Sequence, residues 1–279
     1  MIEQKKLKNG FEYLKINNKN AHAKIALQGA HLFHYQRLGH APLLWLSGKS
    51  FFEAGKAIRG GVPICWPWFG RHKTEKNLPQ HGFARNLLWK LLEARENDAC
   101  STEITLQLTS SEESLQLWPH RFELLLQVTV SETLCIALTS KNCDKKTCEI
   151  SSALHSYFAV TNIDNVSVEG LENTLYFDAV TNESKTQKGP LSIAEEVDRI
   201  YQKIHNPLIL HDQTRTLHIA ATGSSSAVVW NPWITKCANM NDMQDIGYQT
   251  MLCIETANAL EDARQLAPGE EHTLTAVFS

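Results

Sequence analysis

Two arginines, a histidine, a glutamate and an aspartate stand out here for the chemistry their side chains offer. Arg59 and Arg85 bracket the stretch Ile58-Arg59-Gly60-Gly61-Val62-Pro63-Ile64-Cys65-Trp66-Pro67-Trp68-Phe69-Gly70 and, after a polar interval, Gln80-His81-Gly82-Phe83-Ala84-Arg85. Guanidinium forks match carboxylate or phosphate through paired, charge-assisted hydrogen bonds. The consecutive glycines let a backbone approach a ligand or take φ > 0, and the prolines exclude an interior helix or a central strand. A binding wall and a tight buried corner with two solvated arginines account equally well for these residue types. Glu255 closes the apolar run Thr250-Met251-Leu252-Cys253-Ile254. A carboxylate there is costly unless solvated, paired or used, and a strand-end residue pointing into water is its plainest reading. His155 lies in Ser152-Ala153-Leu154-His155-Ser156-Tyr157-Phe158, where a hydrogen-bonded structural histidine is the simpler alternative to a proton carrier. Asp198, in Glu195-Glu196-Val197-Asp198-Arg199-Ile200-Tyr201, reads singly as a surface charge where a charged loop enters a strand.

Other chemistries find less support. His31 and His34 have a spacing that suits a metal on a helix, but Gly29-Ala30-His31-Leu32-Phe33-His34-Tyr35 reads as a strand, on which they point to opposite faces. No metal site is expected. The sequence has no phosphate-binding P-loop, no G-x-G-x-x-G and no G-x-S-x-G, so nucleotide binding and serine hydrolysis lack a motif. The formal net charge of −3 is spread along the chain and argues against a nucleic-acid partner. No apolar run approaches the ~20 residues of a membrane span, and the Lys-rich segment Met1 to Gly10 lacks the apolar core of a secretory signal. The seven cysteines are odd in number, lack a C-x-x-C and fall partly inside apolar alternations such as Leu134-Cys135-Ile136. They suit free thiols in a reducing compartment, and a cytoplasmic protein is expected.

The elements that must position these side chains read as strands almost throughout. Ile104 to Leu108 alternates apolar and polar, and Val128 to Val130 and Thr133 to Thr139 do so as neighbours in a meander. Further strands are expected at Val166 to Glu169, Leu208 to Leu210, Thr216 to Ile219, Ala227 to Trp230, Met251 to Glu255 and His272 to Phe278. A helical period is not sustained for three turns anywhere, and Asn239 to Asp245 is the place for a short helical turn. Asn206-Pro207, Asn231-Pro232, Gly189-Pro190 and Pro268-Gly269 punctuate the chain as turns. Many short strands between turn clusters favour an all-β fold, a large antiparallel β-sandwich with few short helices. With no linker or repeat, residues 1–279 are expected to form one domain.

Taken together the motifs resemble the aldose 1-epimerase superfamily and, within it, the hexose-6-phosphate mutarotases. Four segments carry the resemblance: Ile58 to Gly70, Gln80 to Arg85, Leu154-His155-Ser156-Tyr157-Phe158 and Ile254-Glu255-Thr256-Ala257-Asn258. Asp198-Arg199-Ile200-Tyr201 and Val229-Trp230-Asn231-Pro232-Trp233 add to it. The resemblance implies a galactose mutarotase-like supersandwich with the sugar in a cleft on one sheet. It also implies interconversion of the α and β anomers of an aldose 6-phosphate without a cofactor. By position Glu255 matches the family's base and His155 its general acid. Arg59, Gln80, Arg85 and Asp198 match substrate-binding positions, with His81 beside Gln80 as a further contact.

The residue types agree with that chemistry. Mutarotation removes the proton of the C1 hydroxyl and delivers one to the ring oxygen, after which the C1–O5 bond breaks and the ring recloses on the other face. A glutamate ionised near neutral pH suits the first task and a histidine the second. The arginines then have a phosphate to bind, and Trp66, Trp68 and Trp230 either stack on the sugar or pack the core. Three other readings remain open: a silent carbohydrate-binding sandwich, an epimerase of unphosphorylated aldose, and a glycoside hydrolase. The last would use Asp198 and Glu255 at about 5–5.5 or 6.5–9.5 Å. A small-molecule sugar phosphate is the expected partner, with no nucleic acid or membrane, and the protein is expected to be a monomer.

Overall fold

The computed structural model describes residues 1–279. Period-two alternation becomes burial directly. Ser101–Thr109, Phe122–Val130 and Leu134–Asn142 each bury every second residue and pair antiparallel as a meander. Their register lines up Leu106, Leu126, Leu138 and, on Glu271–Phe278, Leu274 as one apolar row across four strands. These strands belong to a nine-stranded sheet. An eight-stranded sheet packs against it, with Met251–Asn258 between Ser226–Asn231 on one side and the two short strands Ser152–Leu154 and Tyr157–Ala159 on the other. Phe158 of this sheet meets Phe278 of the nine-stranded sheet edge to face at 5.1 Å. A third sheet of four strands, from Ile2–Lys6 to His31–Arg37, completes the layers. The architecture is the antiparallel β-sandwich expected.

α-Helix is confined to two six-residue segments, Glu112–Leu117 and Trp233–Ala238, beside four 3-10 turns of three or four residues. The second corrects the expected turn at Asn239 to Asp245. It begins directly after Pro232, whose fixed φ is compatible with a helix start, and Asn231 Oδ1 accepts the Trp233 N–H. Asn239 follows the last helical residue, and the chain to Asp245 runs through turns. No helix is long and apolar enough to cross a membrane. All seven cysteines are free, with only Cys100 and Cys143 fully exposed.

The Gly/Pro/Trp stretch threads between elements. Ile64–Cys65 adds to the edge of the eight-stranded sheet beside Ser152–Leu154, while Val62 bridges to Leu32 and Trp66 to Gly82. Two glycines are required by space and by conformation. At Gly61 (φ +65°) a Cβ would lie 2.4 Å from the Leu32 carbonyl oxygen, and at Gly82 (φ +71°) 1.9 Å from that of Trp66. Trp66 is buried at 1% exposure, against Trp118 at 5.0 Å and Phe122 at 4.5 Å. Trp68 packs on Phe83 and gives its Nε1–H to the Pro79 carbonyl. Both are core residues.

Candidate active site

Sheet register assembles the site. Leu154 pairs with Thr256 and Tyr157 with Cys253, so His155 falls opposite Glu255. Glu255 pairs in turn with Val228, and Val228 with Ile200. One row is therefore Ile200, Val228, Glu255 and His155. The next row, two residues away on each strand and so on the same face, is Asp198, Trp230, Cys253 and Tyr157. Six residues of these two rows, all but the fully buried Cys253 and Tyr157, form the floor of a cleft of about 520 Å³, within the range of small-molecule sites. Its walls come from the Ile58–Arg85 stretch and from the segment around Lys236 and Met240. Arg59, Gln80, His81, Arg85, His155, Asp198 and Glu255, dispersed over nearly 200 residues of sequence, all line it. Trp230 lines it too, whereas Trp66 and Trp68 do not. A smaller cavity of about 240 Å³ is bordered by Ile254, Glu255 and Thr256 of the same strand but has no arginine, lysine or second carboxylate.

Glu255 is not a strand-end residue in water. It lies within Met251–Asn258 and is 2% exposed. His155 is 7% exposed, and its Nδ1 approaches Glu255 Oε1 at 3.3 Å. The ring is turned off that line, so no hydrogen bond forms, and both Nδ1 and Glu255 Oε2 lack a protein partner. Orphaned polar atoms in a native interior call for an explanation; here both belong to residues that line the cleft. Burial, then the nearby Asp198 carboxylate, pushes the Glu255 carboxyl well above its ordinary range. Burial, then His81, Arg85 and Arg59, pushes His155 well below its own. The glutamate expected to be ionised near neutral pH is thus protonated more readily, because a charge without a bonded partner is unfavourable in a dry site.

Three surroundings hold the histidine. Its ring lies flat on Tyr157, centroids 4.7 Å apart and planes 8° from parallel. The edges of Trp230 and His81 approach at 6.0 and 5.9 Å. His81 takes φ +66°. Its N–H donates to the Gly70 carbonyl at 2.7 Å and its Nδ1 accepts the Gly70 N–H at 3.1 Å. That places its remaining proton on Nε2, and burial lowers its pKa to about 3, so it stays a neutral donor. Arg85 gives one N–H to the Gln80 carbonyl at 2.8 Å, tying the two ends of that segment together. Asp198 is raised by burial against the opposing pull of Lys236, whose ammonium lies 4.0 Å away while pairing with Glu196 at 2.8 Å. His31, by contrast, is buried away from this site with its Nε2 on the Gly60 carbonyl at 2.7 Å.

The cleft also recruits residues without a sequence signal of their own. Arg71 and Lys73 line it from the polar interval, and Lys236 from the unanticipated helix. Tyr157 was legible in principle: two residues from His155 in a strand-like stretch, it shares that face. Asp242, which pairs with Arg59, lies in a turn beyond the helix and carried no sequence signal.

The class is defined by an antiparallel sandwich that carries a buried glutamate–histidine pair in a polar, arginine-lined cleft. Residues 12–279 match the aldose 1-epimerase family, and the chain belongs to it. The family's activity is epimerisation at the anomeric carbon, and this protein is an isomerase of that kind. An Escherichia coli K12 protein named "Putative glucose-6-phosphate 1-epimerase" is 38% identical over 265 residues, 94% of this chain and 87% of that protein. A Cenchrus ciliaris protein of the same name is 38% identical over 269 residues, covering 91% and 79%. A crystal structure described as a putative mutarotase from Salmonella typhimurium superposes with a TM-score of 0.93 at 35% identity, covering 99% and 92% of the two chains.

Proposed function

We propose that this enzyme interconverts the α and β anomers of an aldose 6-phosphate, with D-glucose 6-phosphate as the first candidate. The observation that carries the reading is the buried pair Glu255 and His155, opposed across two strands at 3.3 Å, each with an unpartnered polar atom and both lining an arginine-lined cleft. The group nearest Glu255 is a proton carrier and not a second carboxylate, which favours ring opening over glycoside cleavage. The names of the relatives point to the same substrate.

Burial raises the proton affinity of Glu255 and lowers that of His155, so a proton held by the pair rests more readily on the carboxyl. Moving it from Glu255 to His155 gives a carboxylate and an imidazolium. Glu255 then takes the proton of the C1 hydroxyl and His155 delivers one to O5. The C1–O5 bond breaks with its electron pair leaving on O5, and the C1–O1 bond becomes a carbonyl. Rotation about C1–C2 presents the other carbonyl face, and both transfers reverse. Positioned groups of this kind contribute about 10²–10⁴-fold. Arg59 and Arg85 bind the phosphate or the hydroxyls beside it, Gln80, His81 and Asp198 hold the sugar hydroxyls, and Trp230 offers an apolar face. The protein works as a monomer in the cytoplasm, a setting supported by its seven free thiols.

The test is anomer exchange of glucose 6-phosphate followed by exchange NMR, with and without enzyme. Acceleration that is lost in Glu255→Gln and His155→Ala is expected. Equal acceleration of glucose would overturn the phosphate assignment, and none of either sugar would overturn this substrate class.

A further inference from the structure

Arg59 does not face the cleft as a free charge. Its Nε and Nη2 both reach Oδ2 of Asp242, at 3.1 and 3.0 Å. Its Nη1 donates to the Tyr157 hydroxyl at 2.8 Å. The guanidinium is thus held by two hydrogen bonds and an ion pair, which fix its plane and leave further N–H groups for a ligand. Tyr157 is in turn the residue on which His155 lies flat, and Trp45 stacks on Tyr157 as well, at 6.0 Å and 17°. A continuous chain of contacts therefore runs from Asp242 through Arg59 and Tyr157 to His155 and ends at Glu255.

The far end of that chain is anchored. Asp242 sits in a turn that is otherwise pinned to the segment leading to Arg59. Ser47 Oγ donates to Gln244 Oε1 at 2.9 Å, Lys49 pairs with Asp245 at 3.1 Å, and the Ser47 N–H donates to the Arg59 carbonyl at 3.0 Å. Both members of the Arg59–Asp242 pair are mostly buried, at 25% and 19% side-chain exposure. Removal of either leaves a poorly solvated charge behind. Asp242 does not itself line the cleft.

We infer that Asp242 is a positioning residue for the reaction: it fixes the Arg59 guanidinium against the Tyr157 hydroxyl, and so sets the His155 ring against Glu255. The inference rests on the acid–base reading above for its kinetic consequences. A second consequence is electrostatic. The charged and titratable groups facing His155 are Glu255 across the strand, Tyr157 beneath the ring, His81 and Arg85 from the Gln80–Arg85 segment and Arg59, with Asp198 beyond Glu255. Among these, Arg59 is the one whose charge Asp242 offsets.

The experiment compares Asp242→Asn, Asp242→Glu, Tyr157→Phe and the double variant Asp242→Asn/Tyr157→Phe with the wild type. It measures kcat and KM for glucose 6-phosphate anomer exchange, and the His155 imidazole titration by NMR without substrate. Asp242→Asn is expected to lower kcat on the order of 10–100-fold, the scale of a misplaced catalytic group, and to shift the His155 midpoint to lower pH. Asp242→Glu should restore most of both. Tyr157→Phe keeps the ring stack and removes only the acceptor of Arg59, so its kcat should fall in the same direction. The double variant should be no worse than the poorer single, because both break one chain. A rise in KM alone, with kcat and the His155 titration unchanged, would overturn the inference, as would additive losses or an unaltered Tyr157→Phe enzyme. If the wild type accelerates no anomer exchange, the substrate reading fails, while the His155 titrations still decide whether Asp242 and Tyr157 act on that ring.

Discussion

Glu255→Gln separates what Glu255 does for catalysis from what it costs the fold. The carboxyl is 2% exposed, one of its oxygens has no partner, and its pKa is raised well above the ordinary range, first by burial and then by Asp198. For a group whose folded pKa is raised, the native state binds more protons than the unfolded one. Stability then falls as pH climbs from the unfolded carboxylate value of about 4.3 toward the folded value. The slope cannot exceed about 1.36 kcal/mol per pH unit, so by pH 7 the wild type carries a cost of at most about 3–4 kcal/mol. His155 has the opposite sign. Its folded pKa is depressed, so its contribution is complete above the unfolded histidine value of about 6.5 and is lost as pH falls. Between about 4.3 and 6.5 the two trends offset each other in the wild type, and only a difference between proteins isolates either. The glutamine variant keeps the shape and removes the titration. Denaturant unfolding at half-unit steps from pH 4 to pH 8 should find it near wild-type stability at the acid end and increasingly more stable toward neutrality. Anomer exchange should meanwhile fall by about 10²–10⁴-fold. A stability difference independent of pH would refute the claim that its surroundings raise the Glu255 pKa, and full activity would refute its role as base.

Two further substitutions probe the walls of the cleft. Arg85→Ala removes a guanidinium that lines the cleft and ties down the Gln80 carbonyl. At about 1.5–3 kcal/mol for a hydrogen bond to a charged group, KM for glucose 6-phosphate should rise roughly 10–100-fold while any turnover of glucose is little changed; parallel losses for both sugars would contradict a phosphate contact. Gly82→Ala sets a methyl 1.9 Å from the Trp66 carbonyl oxygen at φ +71°. It should destabilise the protein on the order of 3 kcal/mol in denaturant melts, and a near-neutral result would mean that the Trp66–Gly82 contact is not what closes this stretch.

Much of the sandwich is legible along the chain because strand alternation maps one-to-one onto burial. The Ile104 to Leu108 pattern becomes the buried face of Ser101–Thr109, and the paired runs at Val128 to Val130 and Thr133 to Thr139 become adjacent strands. Short helices are less legible, since six residues at Trp233–Ala238 carry under two turns of period and are started by Asn231-Pro232 and not by a pattern. The candidate site is legible only as motifs. Nothing local distinguishes Glu255 from a solvated strand end, because the residues that cover it are His155, Asp198 and the Ile58–Arg85 wall.

The amino-acid sequence by itself determined the β-rich class, the family, and which side chains are chemically able to act; residue types, period-two patterning and short motifs are local properties. Tertiary structure alone decided that His155 opposes Glu255, since that depends on which residues pair across strands about 100 positions apart. It decided that Trp66 and Trp68 pack the core while Trp230 faces the cleft. It also decided that Arg59, which looked like a spare cation, is held by Asp242 and Tyr157. Burial, which raises one proton affinity and lowers the other, arises only when the sheets close around both groups.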